Sequence, residues 1–309
     1  MKIVPGVRAE LTIFTFFPDK LPDGTTSDPA DSQMFHIDPR LTARWELLPW
    51  TTVKGAFGVY REAPSGAQLN PDTGNPNLLE PRAVQLIGGV EQGLTRDIHL
   101  DVQLYYTNRD LLAQSTSAGR ARNDGSGVFD ALVLNNGGRG RTVGAEVLLR
   151  HEITEHFYGW IAYTLSRTDV DLNENDNGFF LTDFDQTHIL TIVAQTNLPW
   201  GFTLGARFRA VTGDPTHLPL GAVHDVDTTN YNSLGSAFAA TRLPAFHQLD
   251  MRVDKKFTFD TFSFTTYLDL LNVYNQANAE GFIDDYRSRE RQPIPSLPIL
   301  PVIGAQGEF

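Results

Sequence analysis

The sequence FHQLDMRVDKKF, at residues 246–257, decides the fold class of this chain. Every second residue of its central part is apolar, namely Leu249, Met251 and Val253, and the residues between them are charged or polar. Successive side chains of a β-strand point to opposite faces, so a period of two in polarity indicates a strand. We therefore predict a strand with one apolar face and one highly charged face.

The same alternation recurs along the whole chain. We predict twelve strands, at about residues 2–14, 35–48, 51–61, 81–94, 98–105, 143–150, 157–166, 187–198, 202–209, 246–257, 262–270 and 297–309. The connections after odd-numbered strands are long and polar, as at about 111–140 and 212–244, and those after even-numbered strands have about two to four residues. Transmembrane β-barrels have this rhythm, with long loops on one side and short turns on the other.

The two faces of the strands fit the same fold. In a transmembrane barrel, apolar residues face lipid, polar residues face a wet lumen, and a tilted strand of ~9–11 residues crosses the hydrocarbon layer. The sequence thus predicts an all-β, antiparallel transmembrane β-barrel that occupies residues 1–309, with about twelve strands in this chain. A large soluble β-sandwich or propeller is the alternative, but such folds do not need the alternation of long and short connections.

Composition argues against several classes of protein. The chain has 309 residues, of which 41% are hydrophobic and 20% are charged. It contains no run of ~18 apolar residues, so no transmembrane helix is expected. The net charge of −12 argues against a nucleic-acid-binding protein, which would need a basic surface. Because cysteine is absent, disulfides and thiolate metal sites cannot form.

The N-terminal residues lack the features of a signal peptide. Residues 1–17 have no uninterrupted apolar core, and their polarity alternates from the start, with Ile3, Val7 and Leu11 apolar and Arg8 and Glu10 charged. The sequence is therefore expected to begin inside a strand. Either it is the C-terminal part of a longer protein, or a partner chain supplies the rest.

No motif predicts an enzyme or a bound cofactor. The sequence lacks a G-x-S-x-G elbow, an H-E-x-x-H zinc motif and a P-loop. Asp250 and Asp254 share a strand face, but four residues at ~3.3 Å each separate them by about 13 Å, which is too far for a glycosidase pair. The stretch GGRGRTVG, at residues 137–144, opens a strand rather than a helix and so does not predict a dinucleotide site.

Two groups of residues have part of a metal-site pattern. One run alternates like the oxygen ligands of a calcium loop: Asp169, Asp171, Asn173 and Asn175. However, Glu174 occupies the place of the required glycine, and Phe180 occupies that of the final glutamate. His217 and His224 share a loop without a third ligand at metal spacing. We interpret both groups as residues of solvated loops and expect no metal site.

The second half of the chain resembles a known family of membrane proteins. The stretches that carry the resemblance are GRTVGAEVLLRH (140–151), FYGWIAYTLSR (157–167), FDQTHIL (184–190), LPAFHQLDMRVDKKF (243–257), YLDLLNVYNQANAEG (267–281) and the closing aromatic Phe309. Their order and spacing resemble the C-terminal part of the barrel of TonB-dependent outer-membrane receptors. The resemblance covers roughly residues 5–309, and it is the combination of stretches that is specific.

The resemblance implies a fold and a set of partners. Members of this family have a 22-stranded barrel filled by an N-terminal plug, and the plug carries the segment that contacts TonB. This chain would therefore be a partial barrel with no plug domain and about ten strands fewer. The implied partners are outer-membrane lipid, a plug and the remaining strands from the same or a partner chain, the TonB system through that plug, and the barrel assembly machinery. Phe309 resembles the aromatic C-terminal signal that this machinery reads, and the alternative is an aromatic that simply ends a strand.

The resemblance also implies a function in the outer membrane of a Gram-negative bacterium. Extracellular loops and plug would capture a scarce nutrient of the siderophore, cofactor or oligosaccharide type, and TonB, driven by the inner-membrane proton gradient, would rearrange the plug. Six residues are candidates for the inward, lumen-facing row: Arg40, Arg44, Tyr105, Arg207, Arg209 and Asp250. The alternative for each is contact with the plug or an ion pair within the lumen.

Other functions remain open at this point. A structural or interaction barrel in an envelope complex, without transport of its own, would need no plug. A passive porin would conduct ions, and a barrel enzyme would need a nucleophile that the sequence does not show. Trp50 and Trp200 both follow Leu-Pro in short turns, where they are either aromatics of the membrane interface or ordinary turn-packing residues.

Overall fold

A computed structural model describes residues 1–16, 30–70, 74–116, 134–172, 178–219, 221–224, 231–233, 236–285 and 290–308. The described residues form mainly β-strands, one short α-helix, α1 (Gly66–Leu69), and a 3-10 turn at Pro199–Gly201. The strands are β1 (Lys2–Phe16), β2 (Ala30–Leu48), β3 (Thr51–Arg61), β4 (Arg82–Gly93), β5 (Ile98–Ser115), β6 (Leu134–His151), β7 (Phe157–Asp171), β8 (Phe180–Leu181), β9 (His188–Leu198), β10 (Phe202–Val211), β11 (Pro215–Pro219), β12 (Ala222–His224), β13 (Tyr231–Ser233), β14 (Ser236–Arg242), β15 (Phe246–Thr258), β16 (Ser263–Leu271), β17 (Ala279–Asp284), β18 (Arg291–Pro295) and β19 (Leu300–Glu308).

Twelve of these strands form one antiparallel sheet. Their order is β1-β2-β3-β4-β5-β6-β7-β9-β10-β15-β16-β19, and β8 pairs with the end of β7. Each long strand therefore lies beside the next long strand of the chain. Among the described residues the sheet is open, because β1 pairs only with β2 and β19 only with β16. The prediction of an all-β, antiparallel barrel fold with about twelve strands is confirmed.

The connections between the twelve strands alternate in length. Short turns join β2 to β3, β4 to β5, β6 to β7, β9 to β10 and β15 to β16, and long connections join the other neighbours. We call the side of the sheet with the short turns the turn-bearing end and the opposite side the loop-bearing end. This alternation places all of the long polar segments on one side.

The two faces of the sheet differ sharply in polarity. Leu41, Phe57 and Leu86 pair across β2, β3 and β4, and their side chains are 44%, 38% and 51% exposed. In the stretch that decided the fold, Val253 pairs with Leu204 and is 38% exposed. We call this surface the apolar face and the other the polar face. Large apolar side chains thus line the outside of the sheet in continuous rows.

Burial in this molecule is the inverse of that in a water-soluble domain. Among the described residues, the buried apolar side chains are Leu69, Leu78 and Val211, of which the first two belong to the connection between β3 and β4. Buried polar side chains are more numerous, and they include Asp38, Asp250 and Asn272. Soluble proteins bury apolar residues and expose charged ones. A sheet that exposes its apolar face is suited to a surrounding of acyl chains.

The long connections contain structure that we did not predict. The connection expected at 212–244 contains β11 paired with β14 and β12 paired with β13, and the last connection contains β17 paired with β18. The loop expected at 111–140 is also shorter, because β5 ends at Ser115 and β6 begins at Leu134. These strands are short or lie in a polar stretch, so an alternation of apolar residues does not reveal them.

The helix α1 shows how one of these connections is ordered. Ser65 and Gln68 form a capping box, in which the backbone N–H of Ser65 donates to Gln68 Oε1 at 2.9 Å. The Ser-x-x-Gln spacing was a sequence signal for this turn of helix. No helix in the described ranges combines the length and apolar character needed to span a membrane.

An arginine at midspan on the apolar face should destabilise the fold. Ile161 lies on this face of β7, paired with Leu149 and Ile192, and is 41% exposed. We expect Ile161→Arg to lower the free energy of unfolding in lipid vesicles by about 2–4 kcal/mol, because the charge must enter hydrocarbon. The matched control is Thr164→Arg, on the polar face of the same strand opposite Glu146. Urea titration of the folded chain would show equal losses for both variants if the apolar face does not meet lipid.

The β17–β18 hairpin should depend on an ion pair between its strands. Arg291 Nε donates to Asp284 Oδ1 at 2.8 Å, and this hydrogen bond lowers the pKa of the Asp284 carboxyl. The pKa of this carboxyl is lower in the folded hairpin than in the unfolded chain, where it is about 3.9. The ion pair therefore stabilises the hairpin fully at pH values above the unfolded pKa, and the stabilisation is lost as the pH falls through the folded pKa. An NMR titration should give Asp284 a pKa below that ordinary value. In Arg291→Gln the pKa should rise toward it, and an unchanged pKa would contradict the pairing.

Candidate functional site: the polar face of the sheet

The register of the sheet places all six candidate residues on the polar face. Arg40 and Arg44 alternate with Leu41 and Ala43 of the apolar face. On the other strands the same alternation holds for Tyr105, Arg207, Arg209 and Asp250. The structure does not bring the six together in one pocket, because they belong to β2, β5, β10 and β15. That this face lines a lumen stays a prediction.

Asp250 is the centre of a hydrogen-bond network near the loop-bearing end of β15. Its Oδ2 accepts from Arg207 Nε at 3.1 Å and from Nη2 at 2.6 Å, and its Oδ1 accepts from Gln248 Nε2 at 2.7 Å. The backbone N–H of Asn272 adds a fourth bond, at 2.9 Å. Four donors compensate a carboxylate that is 9% exposed. Two of the predicted residues, Arg207 and Asp250, are therefore direct partners.

Three asparagines close the end of β16 against its neighbours. Asn272, which is 1% exposed and has a φ of 53°, donates through Nδ2 to Gln276 O at 2.9 Å and to Leu297 O at 3.1 Å. Asn275 accepts from the backbone N–H of Ile299 at 2.9 Å. The amide of Asn278 exchanges two 3.0 Å bonds with the backbone of His247. Asparagine tolerates positive φ and bonds backbone groups locally, which explains its use here.

Sequence reasoning missed these asparagines. They are spaced three residues apart in LLNVYNQANAEG, directly after a strand, and this spacing was the available signal. Because turn residues of this type cap backbone groups, such a pattern favours an ordered turn over a plain loop. Their effect is to fix the loop-bearing ends of β15, β16 and β19 relative to one another.

A chain of alternating charges crosses β2 to β5 toward the turn-bearing end. Arg44 Nη1 donates to Glu91 Oε1 at 3.0 Å, and Lys54 Nζ lies 3.4 Å from the same oxygen and donates to Asp101 Oδ2 at 2.5 Å. An open cavity of about 610 Å³ lies beside this chain, and its lining includes Arg44, Glu91, Asp101 and Arg150. Two cations on β2 and β3 thus pair with two carboxylates on β4 and β5, which keeps this highly charged surface close to neutral.

A second cluster lies toward the loop-bearing end of β2 and is more buried. Asp38 is 0% exposed, and it binds Arg61 Nη1 at 2.5 Å and the Arg61 backbone N–H at 3.1 Å. His36 Nδ1 lies 2.5 Å from Glu80 Oε2, and His36 Nε2 lies 3.3 Å from Asp38 Oδ2. Glu80 belongs to the connection between β3 and β4, so the cluster attaches this connection to the sheet. Removing one member of such a cluster leaves an uncompensated buried charge.

The remaining candidates contact aromatic rings or glycines. The Arg40 guanidinium lies 4.7 Å from the ring centroid of Tyr60, and that of Arg209 lies 6.0 Å from that of Phe246. The ring of Tyr105 lies against Gly144 of the neighbouring strand, where any side chain would collide with it. Tyr267 lies in the same way over Gly304.

The other residues singled out in the sequence have varied placements. The ring of Trp50 packs on Gly93, as a turn-packing residue does, whereas Trp200 is 85% exposed. Asp169 and Asp171 lie in β7 opposite arginines of β6, and Asn173 and Asn175 lie outside the described residues. Phe309 and the side chain of His217 also lie outside them, and His224 stacks edge-on against Tyr231.

The arrangement can bind and solvate charged groups rather than carry out covalent chemistry. Its functional groups are carboxylates, guanidinium groups and amides engaged with one another across strands. In the part of the chain that the structure describes, no group of three or more His, Asp or Glu side chains is arranged to hold a metal ion. The face therefore has the character of a hydrated surface along which a polar molecule or a packed domain can lie.

Comparison with known proteins identifies the family. A family model described as TonB dependent receptor-like, beta-barrel matches residues 1–275. The chain belongs to the TonB-dependent receptor family. No curated protein matches the sequence. The members of this family are receptors and transporters of the outer membrane of Gram-negative bacteria, and the match agrees with the expected family and fold.

Solved receptor structures have the same fold. The siderophore receptor PiuA from Acinetobacter baumannii superposes with a TM-score of 0.66 at 12% identity, over 99% of this chain and 40% of PiuA. The unliganded ferric citrate transporter FecA gives 0.65 at 14% identity, over 99% of this chain and 42% of FecA. The copper transporter OprC gives 0.63 at 9% identity, over 99% and 45%. The chain thus spans less than half the length of each of these receptors.

Two replacements of Asn272 should distinguish the stability that its side-chain hydrogen bonds contribute from the stability that depends on its backbone conformation. Asn272→Ala removes three side-chain hydrogen bonds at a position with positive φ, so we expect a loss of about 2–3 kcal/mol in the free energy of unfolding. Asn272→Gly loses the same bonds but tolerates the φ, so its loss should be smaller. Urea unfolding in vesicles measures both. If alanine costs no more than glycine, backbone conformation contributes nothing at this position.

Proposed function

We propose that this chain forms part of the β-barrel of an outer-membrane receptor for the energised uptake of a scarce nutrient. The observation that supports the proposal most is the separation of the two faces: exposed apolar rows on one side and a continuous, ion-paired polar surface on the other. Membership of the TonB-dependent receptor family supplies the class of function. The polar face would line the lumen in which a plug domain sits, and the six candidate residues would contact the plug or passing solute.

The proposal includes partners of the twelve-stranded sheet. Further strands, from the same or another polypeptide, would pair with the open edges at β1 and β19, and a plug would fill the lumen. TonB would act through that plug. The barrel assembly machinery would insert the chain into the outer membrane, with Phe309 as part of its signal.

For the nutrient, we propose an iron complex of the siderophore type. PiuA is named as a siderophore receptor and FecA as a ferric citrate transporter, whereas OprC is named as a copper transporter. Near the loop-bearing end, an open cavity of about 290 Å³ is lined by Arg209, Asp214, Phe246 and Glu280. A guanidinium beside an aromatic ring suits a planar or anionic ligand. Arg209 is therefore the residue of the six that we assign to ligand contact.

The test is uptake of radioactive iron by cells that produce the protein, compared with cells from which its gene is deleted. We expect uptake of at least one ferric siderophore to depend on the gene and to stop when an uncoupler removes the proton gradient. Arg209→Ala should lower the uptake rate about tenfold, since one charge-assisted contact is worth roughly 1.5–3 kcal/mol. The control is Lys256→Gln, which changes a charge at the turn-bearing end of β15 and should leave uptake unchanged.

The outcomes separate this proposal from its alternative. Uptake that persists in the presence of the uncoupler would contradict an energised receptor and favour a passive pore. If deletion leaves the uptake of every siderophore unchanged but weakens the envelope against detergents, the chain is a structural barrel. Equal amounts of each variant in the outer-membrane fraction, with heat-modifiable gel mobility, show that a change in uptake is not a change in folding.

A further inference from the structure

Three arginines form a basic group on the apolar face at the loop-bearing end. We call Arg139, Arg141 and Arg167 the arginine rim. We propose that the arginine rim binds the phosphate groups of a phosphorylated glycolipid in the outer leaflet of the membrane. The inference rests on the proposed placement of the chain in an outer membrane, and it concerns a surface on the opposite side of the sheet from the polar face.

The register places the arginine rim outside the sheet. Arg141 pairs with Asn108 and Asp169, and Arg139 pairs with Asp171, so both alternate with the glycines of the polar face of β6. Arg167 pairs with Val143, whose side chain is 52% exposed on the apolar face. The three arginines are thus neighbours on two adjacent strands.

The arginines have hydrogen-bonding capacity to spare. Asp169, which is 2% exposed, accepts from Arg141 Nε at 3.2 Å and from Arg167 Nε at 3.0 Å. Arg139 Nη2 lies 3.9 Å from Asp171 Oδ2. Within the described ranges, the Nη groups of Arg141 and Arg167 make no hydrogen bond to another residue. The side chains of Arg139, Arg141 and Arg167 are 64%, 48% and 60% exposed, so these donors face outward.

The local charge favours an anion. Three arginines face two aspartates in the arginine rim, which leaves a surplus of positive charge on a chain whose net charge is −12. Asp169 holds the guanidinium groups of Arg141 and Arg167 through Nε and thereby orients their Nη edges away from the sheet. A guanidinium presented in this way matches the oxygens of a phosphate, which accepts two parallel N–H bonds.

The height of the arginine rim fits a lipid headgroup. On β6, Val143 lies two residues closer to the centre of the sheet than Arg141, about 7 Å at ~3.3 Å per residue, and level with Arg167. On β7, Leu165 lies the same distance below Arg167, and both apolar side chains are exposed on the apolar face. Acyl chains that cover these side chains would place their phosphate groups beside the arginines. The guanidinium of Arg141 also lies 4.4 Å from the ring centroid of Phe179, just as the outward Lys255 at the turn-bearing end lies 4.5 Å from that of Phe202. The arginine rim groups three cations, which suits it to a phosphorylated headgroup.

The occupant to which we commit is a lipid that carries phosphate directly on its sugar headgroup, above several acyl chains. Such a lipid presents its phosphates at the boundary between hydrocarbon and water, where the arginine rim lies. A glycerophospholipid offers the same phosphate chemistry with a single charge, and it serves as the comparison in the test.

The test measures lipid retention by the full chain in mild detergent with native mass spectrometry. The probes are bis-phosphorylated lipid A, the same lipid without phosphates, and phosphatidylglycerol. We expect bis-phosphorylated lipid A to bind about tenfold more tightly than either of the others, and increasing salt to weaken it. Equal binding of the dephosphorylated lipid, or tighter binding of phosphatidylglycerol, would overturn the proposal.

The triple variant Arg139→Gln, Arg141→Gln, Arg167→Gln should lose this preference about tenfold. The control is Arg150→Gln: Arg150 lies on the same strand, is likewise 48% exposed, and belongs to the polar face at the opposite end. If the glutamine triple variant fails to fold, the single variant Arg141→Gln should show a partial loss. A triple lysine variant keeps the charge but not the paired N–H groups, so its binding should lie between that of the wild type and that of the glutamine variant. Unchanged binding in these glutamine variants would refute the assignment. If iron uptake depends on the gene but the protein shows no preference for phosphorylated lipid A, the lipid site is refuted and the proposed receptor function is not affected.

Discussion

The structure depends on the pairing of backbone groups between strands. In hydrocarbon, each unpaired N–H or C=O costs several kcal/mol, so a chain can cross it only as a helix or as a sheet whose strands all have neighbours. Ten of the twelve strands have a neighbour on each side, and each pair is antiparallel over most of its length. Once this pairing is fixed, side chains alternate between two environments, and the sequence can assign one polarity to each.

The polar face follows from the same pairing. Because strands lie side by side, a charge on one strand meets a charge on the next at hydrogen-bond distance, as Arg44 meets Glu91 and Arg207 meets Asp250. Most of these pairs are partly solvated, and pairs of this kind add little stability one by one. Their main effect is electrostatic compensation. Opposite charges that are paired across strands cancel, so a highly charged face can line a lumen without a large net field. The buried members, Asp38 and Asp250, need several donors each because water cannot replace a lost partner.

Much of the fold could be predicted from the sequence, because a period of two with alternating long and short connections is a strong regular signal. The stretch around Val253 placed its apolar and charged residues on the correct sides. The partners within the polar face could not be predicted, since they depend on which residues of neighbouring strands stand opposite one another. The hairpins β11–β14 and β17–β18 were missed because no face of theirs is uniformly apolar. Asn272 was missed because its importance comes from burial and contacts distant in sequence, which composition does not show.

The two tyrosines that lie over glycines have a consequence for assembly. Tyr105 rests on Gly144, and Tyr267 rests on Gly304, each on an adjacent strand. A slip of one strand by two residues preserves the sidedness of every side chain, so hydrophobicity cannot prevent it. Such a slip would place Tyr105 opposite Glu146 or Thr142, which carry side chains where Gly144 has none. The glycines thus favour the correct register of the neighbouring strands, because only a residue without a side chain leaves room for the tyrosine ring. Steric fit, rather than polarity, would disfavour misaligned intermediates.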